Sequence, residues 1–216
     1  MSKRESLIVA LVLGVMCPFL TFIAGWWTSA ALFLEGIAHI TEHGIAIAAF
    51  TGLAAGLIID ALWLRRLVAG FYTADLVLLG AVYAFCSAIA LASCMGLPLG
   101  NLMLGTLGGV YVGRRAFHSG ASAAVFGRAS RRAGWFTAAF TGTGAFAIGL
   151  LALREQSVVE ELADLLGTER SAIAGPTGLA VIITLVVVLI VLQFWCTSTA
   201  ARVAFGRSGS PGFQPH

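Results

Sequence analysis

From Leu76 to Gly113 the chain runs 38 residues without one Asp, Glu, Lys, Arg or His. As a single helix this stretch would be about 57 Å long at 1.5 Å per residue, nearly twice the ~30 Å hydrocarbon thickness of a bilayer. It has to fold back on itself, and Gly96-Leu97-Pro98-Leu99-Gly100 marks the place. Proline lacks the donor that a continuing helix needs, and the glycines ease a tight turn. Two crossings are therefore predicted, about 75–95 and 97–113, the second short.

Further apolar stretches run from Ser6 to Leu34, from His43 through Asp60 to Leu64, from Ala133 to Leu153 and from Ser171 to Ala201. With 59% hydrophobic residues, 11% charged residues and a mean hydropathy of +0.94, the chain departs far from a soluble domain, which carries roughly 25% charge. Disorder is excluded as well, since it needs low hydrophobicity and high net charge. Four cysteines in 216 residues are too few for a secreted disulfide scaffold. Cys17, Cys86, Cys94 and Cys196 all fall within apolar stretches without a C-x-x-C pair, and read as small buried hydrophobes. The predicted fold class is all-α: a polytopic integral membrane bundle of six transmembrane helices, at about 7–27, 44–64, 75–95, 97–113, 133–153 and 177–200. These form a single transmembrane domain over 1–205, and residues 206–216, rich in Gly, Ser and Pro, form a flexible tail.

The basic residues test this threading independently, because hydropathy does not use them. With the N-terminus in the cytoplasm, the inner side receives Lys3, Arg4, Arg65, Arg66, Arg114, Arg115, Arg128, Arg131, Arg132, Arg202 and Arg207, and the outer side only Arg154 and Arg170. Both termini are then cytoplasmic, in a multi-pass protein of the plasma or inner membrane. The apolar part of the first span is too long for a cleaved signal peptide, so it reads as a retained anchor. Trp26 and Trp27 fall at an outer span end and Trp63, Trp135 and Trp195 at inner ends, the headgroup level that tryptophan favours.

Two connections carry patterns of their own. Between spans 5 and 6, Gln156 to Gly167 predicts a short amphipathic helix on the outer surface. Ser157 and Glu160 have capping-box spacing, Val158, Val159, Leu162, Leu165 and Leu166 share a face, and Gly167 can close the end. Arg114 to Arg132, read as the largest inner loop, holds five arginines and His118, and such a loop attracts anionic lipid. It lacks the exposed aromatics that single-stranded nucleic acid stacks on, so no nucleic-acid role is expected.

Candidate chemistry concentrates in Glu35-Gly-Ile-Ala-His39-Ile-Thr-Glu42-His43 of the first outer connection. On one helix, Glu35, His39, Glu42 and His43 would fall within about 100° of one another, and a His pair at i and i+4 with a carboxylate can hold a divalent transition metal. The string also matches the H-x-x-E-H motif of inverted zinc proteases, but those enzymes need a third acidic ligand on a second helix, and nothing else in the chain supplies one.

Within the spans, polar residues are few: Ser87, Asn101, Thr106, Thr141, Thr143 and Gln193, with Asp60 and Asp75 near the inner face, where pairing with Arg65 and Arg66 is expected. No ionisable side chain lies at the midplane, which argues against an ion-driven pump. Gly105, Gly109 and Gly113 recur every four residues, the pattern of close helix packing, and make span 4 the central helix. The expectation is a non-catalytic bundle, either an accessory subunit of a membrane complex or a small binding or transport component, with the bilayer, anionic lipid at the inner arginines and a second membrane subunit as partners. The alternative is a metal-binding membrane protein or enzyme using Glu35, His39, Glu42 and His43 on the outer face.

Overall fold

Long apolar stretches can satisfy their backbone donors and acceptors internally only as helices. The computed structural model follows this rule throughout. It describes residues 2–36, 40–93, 99–167, 173 and 175–206. Among them 91% are helical and none lies in a strand. The helices are α1 (Lys3–Leu34), α2 (Glu42–Gly70), α3 (Leu76–Ser93), α4 (Leu99–His118), α5 (Ala123–Ala152), α6 (Gln156–Leu166) and α7 (Pro176–Gly206), with a 3-10 turn, Phe71–Thr73, extending α2. Four of these, α1, α2 with its 3-10 turn, α5 and α7, are long and apolar enough to cross a membrane. The apolar part of α3, Leu76–Ala92, is shorter, and α4 is diluted by glycine, Asn101 and two arginines. Cys94, residues 96–98 of the predicted 96–100 turn and the tail from 207 onward lie outside the described residues, and Leu99 and Gly100 already belong to α4.

The chain divides into two compact units, Met1–Ala74 and Asp75–His216. In the first, α1 and α2 form an antiparallel hairpin zipped by small residues. A Cβ on Gly25 would come 2.6 Å from the Ala48 carbonyl oxygen, and one on Gly56 would come 2.5 Å from Cα of Pro18. At Gly52 it would overlap the Thr21 carbonyl. Backbones this close require glycine, the usual means of helix association where no hydrophobic force acts between helices. Ser2 caps α1 by accepting from the Glu5 amide at 3.2 Å, and the Tyr72 hydroxyl donates to Glu5 Oε1 at 2.7 Å, tying the open end of the hairpin together.

In the second unit α7 is packed on both α4 and α5. Gly105, Gly109 and Gly113 of α4 meet Gln193, Thr197 and Ala201 of α7 in turn, so these helices run parallel. Gly134, Gly142 and Gly149 of α5 meet Ser198, Ile190 and Ile182, so α5 runs antiparallel to α7. The glycine face read from the sequence is therefore covered within the chain, by α7.

Two connections differ from expectation. The segment 114–132 is mostly helix: α4 continues to His118, α5 begins at Ala123, and only residues 119–122 connect them. Gly120 makes the turn at φ +63°, and the Ser122 hydroxyl accepts from the Val125 amide at 3.5 Å. Alanine and arginine are good helix formers, and with these two signals so close together the helices need not stop at the bilayer edge. At α6 the capping box is not formed. Glu155, not Ser157, is the N-cap, and Ser157 lies inside the first turn. Gly167 does end α6 in the left-handed conformation, and Val159 and Ala163 are buried with Ile173.

Candidate functional site

Among the described residues, the largest fully buried side chains of the second unit are polar. Gln193, Asn101, Thr141 and Thr197 have no exposed surface, and Ser87, Thr137, Ser130 and Ser198 are nearly as buried. They come from α3, α4, α5 and α7, and Gln193, Thr197 and Thr137 meet near the middle of α5 and α7. Asn101 donates its Nδ2 to Ser87 Oγ at 2.8 Å, joining α4 to α3. Thr137 and Thr197 share a hydroxyl hydrogen bond of 2.9 Å, joining α5 to α7, and Gln193 Nε2 donates to Thr197 at 3.4 Å. Gly105 makes room for the Gln193 amide, which a Cβ at that position would overlap. The Tyr83 hydroxyl lies beside Thr141 without a well-directed hydrogen bond, and its ring packs against Phe136 and Phe140.

The layer is incompletely satisfied. Gln193 Oε1, Asn101 Oδ1, Thr141 Oγ1 and Ser198 Oγ are buried without a hydrogen-bond partner. Interhelical hydrogen bonds in a bilayer average about 0.6 kcal/mol. An orphaned buried polar atom costs about 1–3 kcal/mol. The layer is thus more polar than helix adhesion alone calls for. Its members are amides and hydroxyls, all neutral, which can hold a small hydrogen-bonding guest or fix helix register but do not supply an acid, base or strong nucleophile at neutral pH.

Of the polar residues singled out in the sequence, the structure brings Ser87 to Asn101 and places Gln193 and Thr141 in the same layer. Thr106 instead bonds the Leu102 carbonyl of its own helix at 2.8 Å. Thr137, Thr197 and Ser198 were missed. Their signal is present in the spacing: Gln193 and Thr197 are four residues apart, as are Gly105 and Gly109, which face them.

Asp60 also departs from expectation. It is 9% exposed, both carboxylate oxygens are without a hydrogen-bond partner, and it faces α1 beside Gly14 and the Cys17 thiol. Arg65 and Arg66 are exposed on other faces of α2, so the expected pairing with Asp60 does not form. On a helix, residues five and six positions on are turned by about 140° and 120° from Asp60.

The connection between α1 and α2 does not make the single helix that would align Glu35, His39, Glu42 and His43. Glu35 caps the end of α1, Gly36 follows at φ +63°, and α2 starts afresh at Glu42 with Thr41 as its N-cap. Glu35 and the Glu42–His43 pair are exposed and belong to two helix ends, while His39 lies outside the described residues. Among the described residues no three His, Cys, Asp or Glu side chains are grouped to hold a metal ion.

Compared with known protein families, curated proteins and solved structures, the chain matches none. Its function has to be argued from its own geometry.

Proposed function

We propose that the chain is a multi-pass membrane protein with six crossings and both ends in the cytoplasm, acting without catalysis as a small binding or transport component or as an accessory subunit of a larger membrane complex. The observation that carries this reading is the inverted polarity of α7. Its Leu185, Val187, Val188 and Val191 are more than half exposed, while Gln193, Thr197 and Ser198 are buried. Water would favour the opposite arrangement, and hydrocarbon favours this one. The alternation of helix directions in the second unit, with α4 parallel to α7 and α5 antiparallel, agrees with the threading that the basic residues suggest. The unsatisfied amide and hydroxyl oxygens of the polar layer support a binding role, since polar groups kept inside a membrane protein at a stability cost usually serve its ligand or its pathway.

Two measurements test the proposal. A reporter fused at residue 97, or within residues 155–169, should lie outside the cytoplasm, and one fused within residues 119–122 inside it. Native mass spectrometry after extraction in mild detergent should show a stoichiometric membrane partner or a retained small molecule. Repeated recovery of a bare, ligand-free monomer, or an inward reporter at residue 97, would overturn it.

A metal-binding reading is favoured by one feature. The antiparallel hairpin places Glu35, at the end of α1, and Glu42 and His43, at the start of α2, at the same end, with His39 in the segment between them. A divalent transition metal held there would be lost on His39→Ala/His43→Ala substitution. Elemental analysis of purified wild type against this variant decides the matter, and equal, near-zero metal in both ends the reading.

A further inference from the structure

A cavity of about 570 Å³ opens along the outer side of the α4–α7 pair, lined among others by Thr106, Val110 and Arg114 of α4 and by Trp195, Thr199 and Val203 of α7. Its volume is within the ~300–1,000 Å³ usual for small-molecule sites. Its walls are almost wholly apolar except at one end, where Arg114 stands. From Thr106 to Arg114 is eight residues, about 12 Å of helix, and from Trp195 to Val203 is the same. Half the hydrocarbon thickness of a bilayer is about 15 Å. The groove therefore reaches from headgroup level close to the bilayer midplane, the depth of one leaflet.

Arg114 is the one charged residue among those that line the groove. The Arg114 guanidinium stacks on Phe117, one turn further along α4, with its carbon 5.2 Å from the ring centroid. That contact draws the cation out of the apolar groove toward the end of the helix, as a basic side chain at a membrane boundary is expected to lie. The neighbouring Arg115 is engaged differently, donating to the Tyr111 hydroxyl at 3.2 Å.

We infer that this groove is a binding site for an anionic phospholipid of the inner leaflet, with an acyl chain between α4 and α7 and the phosphate at Arg114. The inference rests on the membrane reading above and gives the anionic-lipid partner a place. A phospholipid fits because the groove matches its two parts: an apolar trough of leaflet depth for the chain and a cation at one end for the phosphate. A partner helix would instead have to run the full height of the bilayer.

The test uses the full-length protein, delipidated in a nonionic detergent and titrated with phosphatidylglycerol or phosphatidylcholine under native mass spectrometry. Wild type should prefer phosphatidylglycerol. Arg114→Gln should lower that affinity about fivefold, the equivalent of about 1 kcal/mol per basic residue, and leave phosphatidylcholine unchanged. Val110→Trp/Val203→Trp, which fills the groove from its two exposed walls, should weaken both lipids without lowering the unfolding temperature. Equal binding of the two lipids by wild type, no effect of Arg114→Gln, or a polypeptide adduct displaced by the tryptophans would each overturn the inference. Alkaline carbonate washing of native membranes separates its failure from that of the membrane reading. A chain that is released was never embedded, whereas one that stays embedded without lipid preference refutes the lipid site alone.

Discussion

Gly109→Ala should destabilise the protein by about 1–3 kcal/mol, the usual cost of overpacking a tight contact, while Gly108→Ala should be neutral or slightly stabilising. The two positions are adjacent on one helix and differ only in what faces them. A Cβ at Gly109 would overlap the Thr197 carbonyl oxygen and come 3.0 Å from its carbon and 3.1 Å from Ala200 Cβ. A Cβ at Gly108 would meet Thr137 Cγ2 and Tyr83 Cε2 at 3.9 Å, ordinary van der Waals contact. Backbone cannot rotate aside as a side chain can, so Gly109→Ala forces α4 and α7 apart. That separation strains the Thr137–Thr197 bond and the Gln193 contact on the same seam. Gly113→Ala should behave like Gly109→Ala, because its Cβ would overlap the Ala201 carbonyl. At Gly105 the obstacle is the Gln193 side chain, and the cost should be smaller. Unfolding of the purified variants in mild detergent measures the difference. Equal stability of Gly108→Ala and Gly109→Ala would show that the α4–α7 contact is looser than the packing requires.

The glycine seam was legible because its cause is local: small residues repeated every four positions have few uses other than close approach. The helices were legible for the same kind of reason, since an unbroken apolar run leaves the backbone one way to satisfy itself. The polar layer was only half visible. A Thr or Ser in an apolar helix can bond the carbonyl one turn back, as Thr106 and Thr184 do, or reach a neighbouring helix, as Thr197 does. Sequence alone does not distinguish these, because the choice depends on which face the neighbour covers. Asn101 and Gln193 stood out by rarity, whereas Thr137 and Ser198 became significant only through their partners. The segment 114–132 differs for another reason: the positive-inside rule locates charge relative to a membrane, not the ends of helices. Asp60 is close to Arg65 and Arg66 along the chain, but the angle around the helix decides whether they meet.

Asp60→Leu should stabilise the α1–α2 hairpin, by about 1–3 kcal/mol, the cost of keeping a buried polar group without a hydrogen bond. The expectation is unusual, since most buried substitutions destabilise. It follows from the surroundings of the carboxylate. Both oxygens lack a well-formed hydrogen bond, the Cys17 thiol lies beside them, and the facing residue, Gly14, leaves ordinary room: a Cβ there would lie 3.8 Å from Leu64 Cδ2 and 4.0 Å from Asp60 Oδ2. A leucine adds apolar contact where the aspartate adds none. Asp60→Asn keeps the shape and the polarity and should recover less of the gain, which separates relief of a buried polar group from a change in packing. Thermal unfolding of the three proteins in the same detergent gives the order Leu, Asn, Asp from most to least stable. A loss of stability in Asp60→Leu comparable to the predicted gain would mean that the carboxylate is engaged by a group brought from outside the hairpin. If the predicted order is found, Asp60 is a residue retained against stability. Its retention inside the hairpin then calls for a role outside folding.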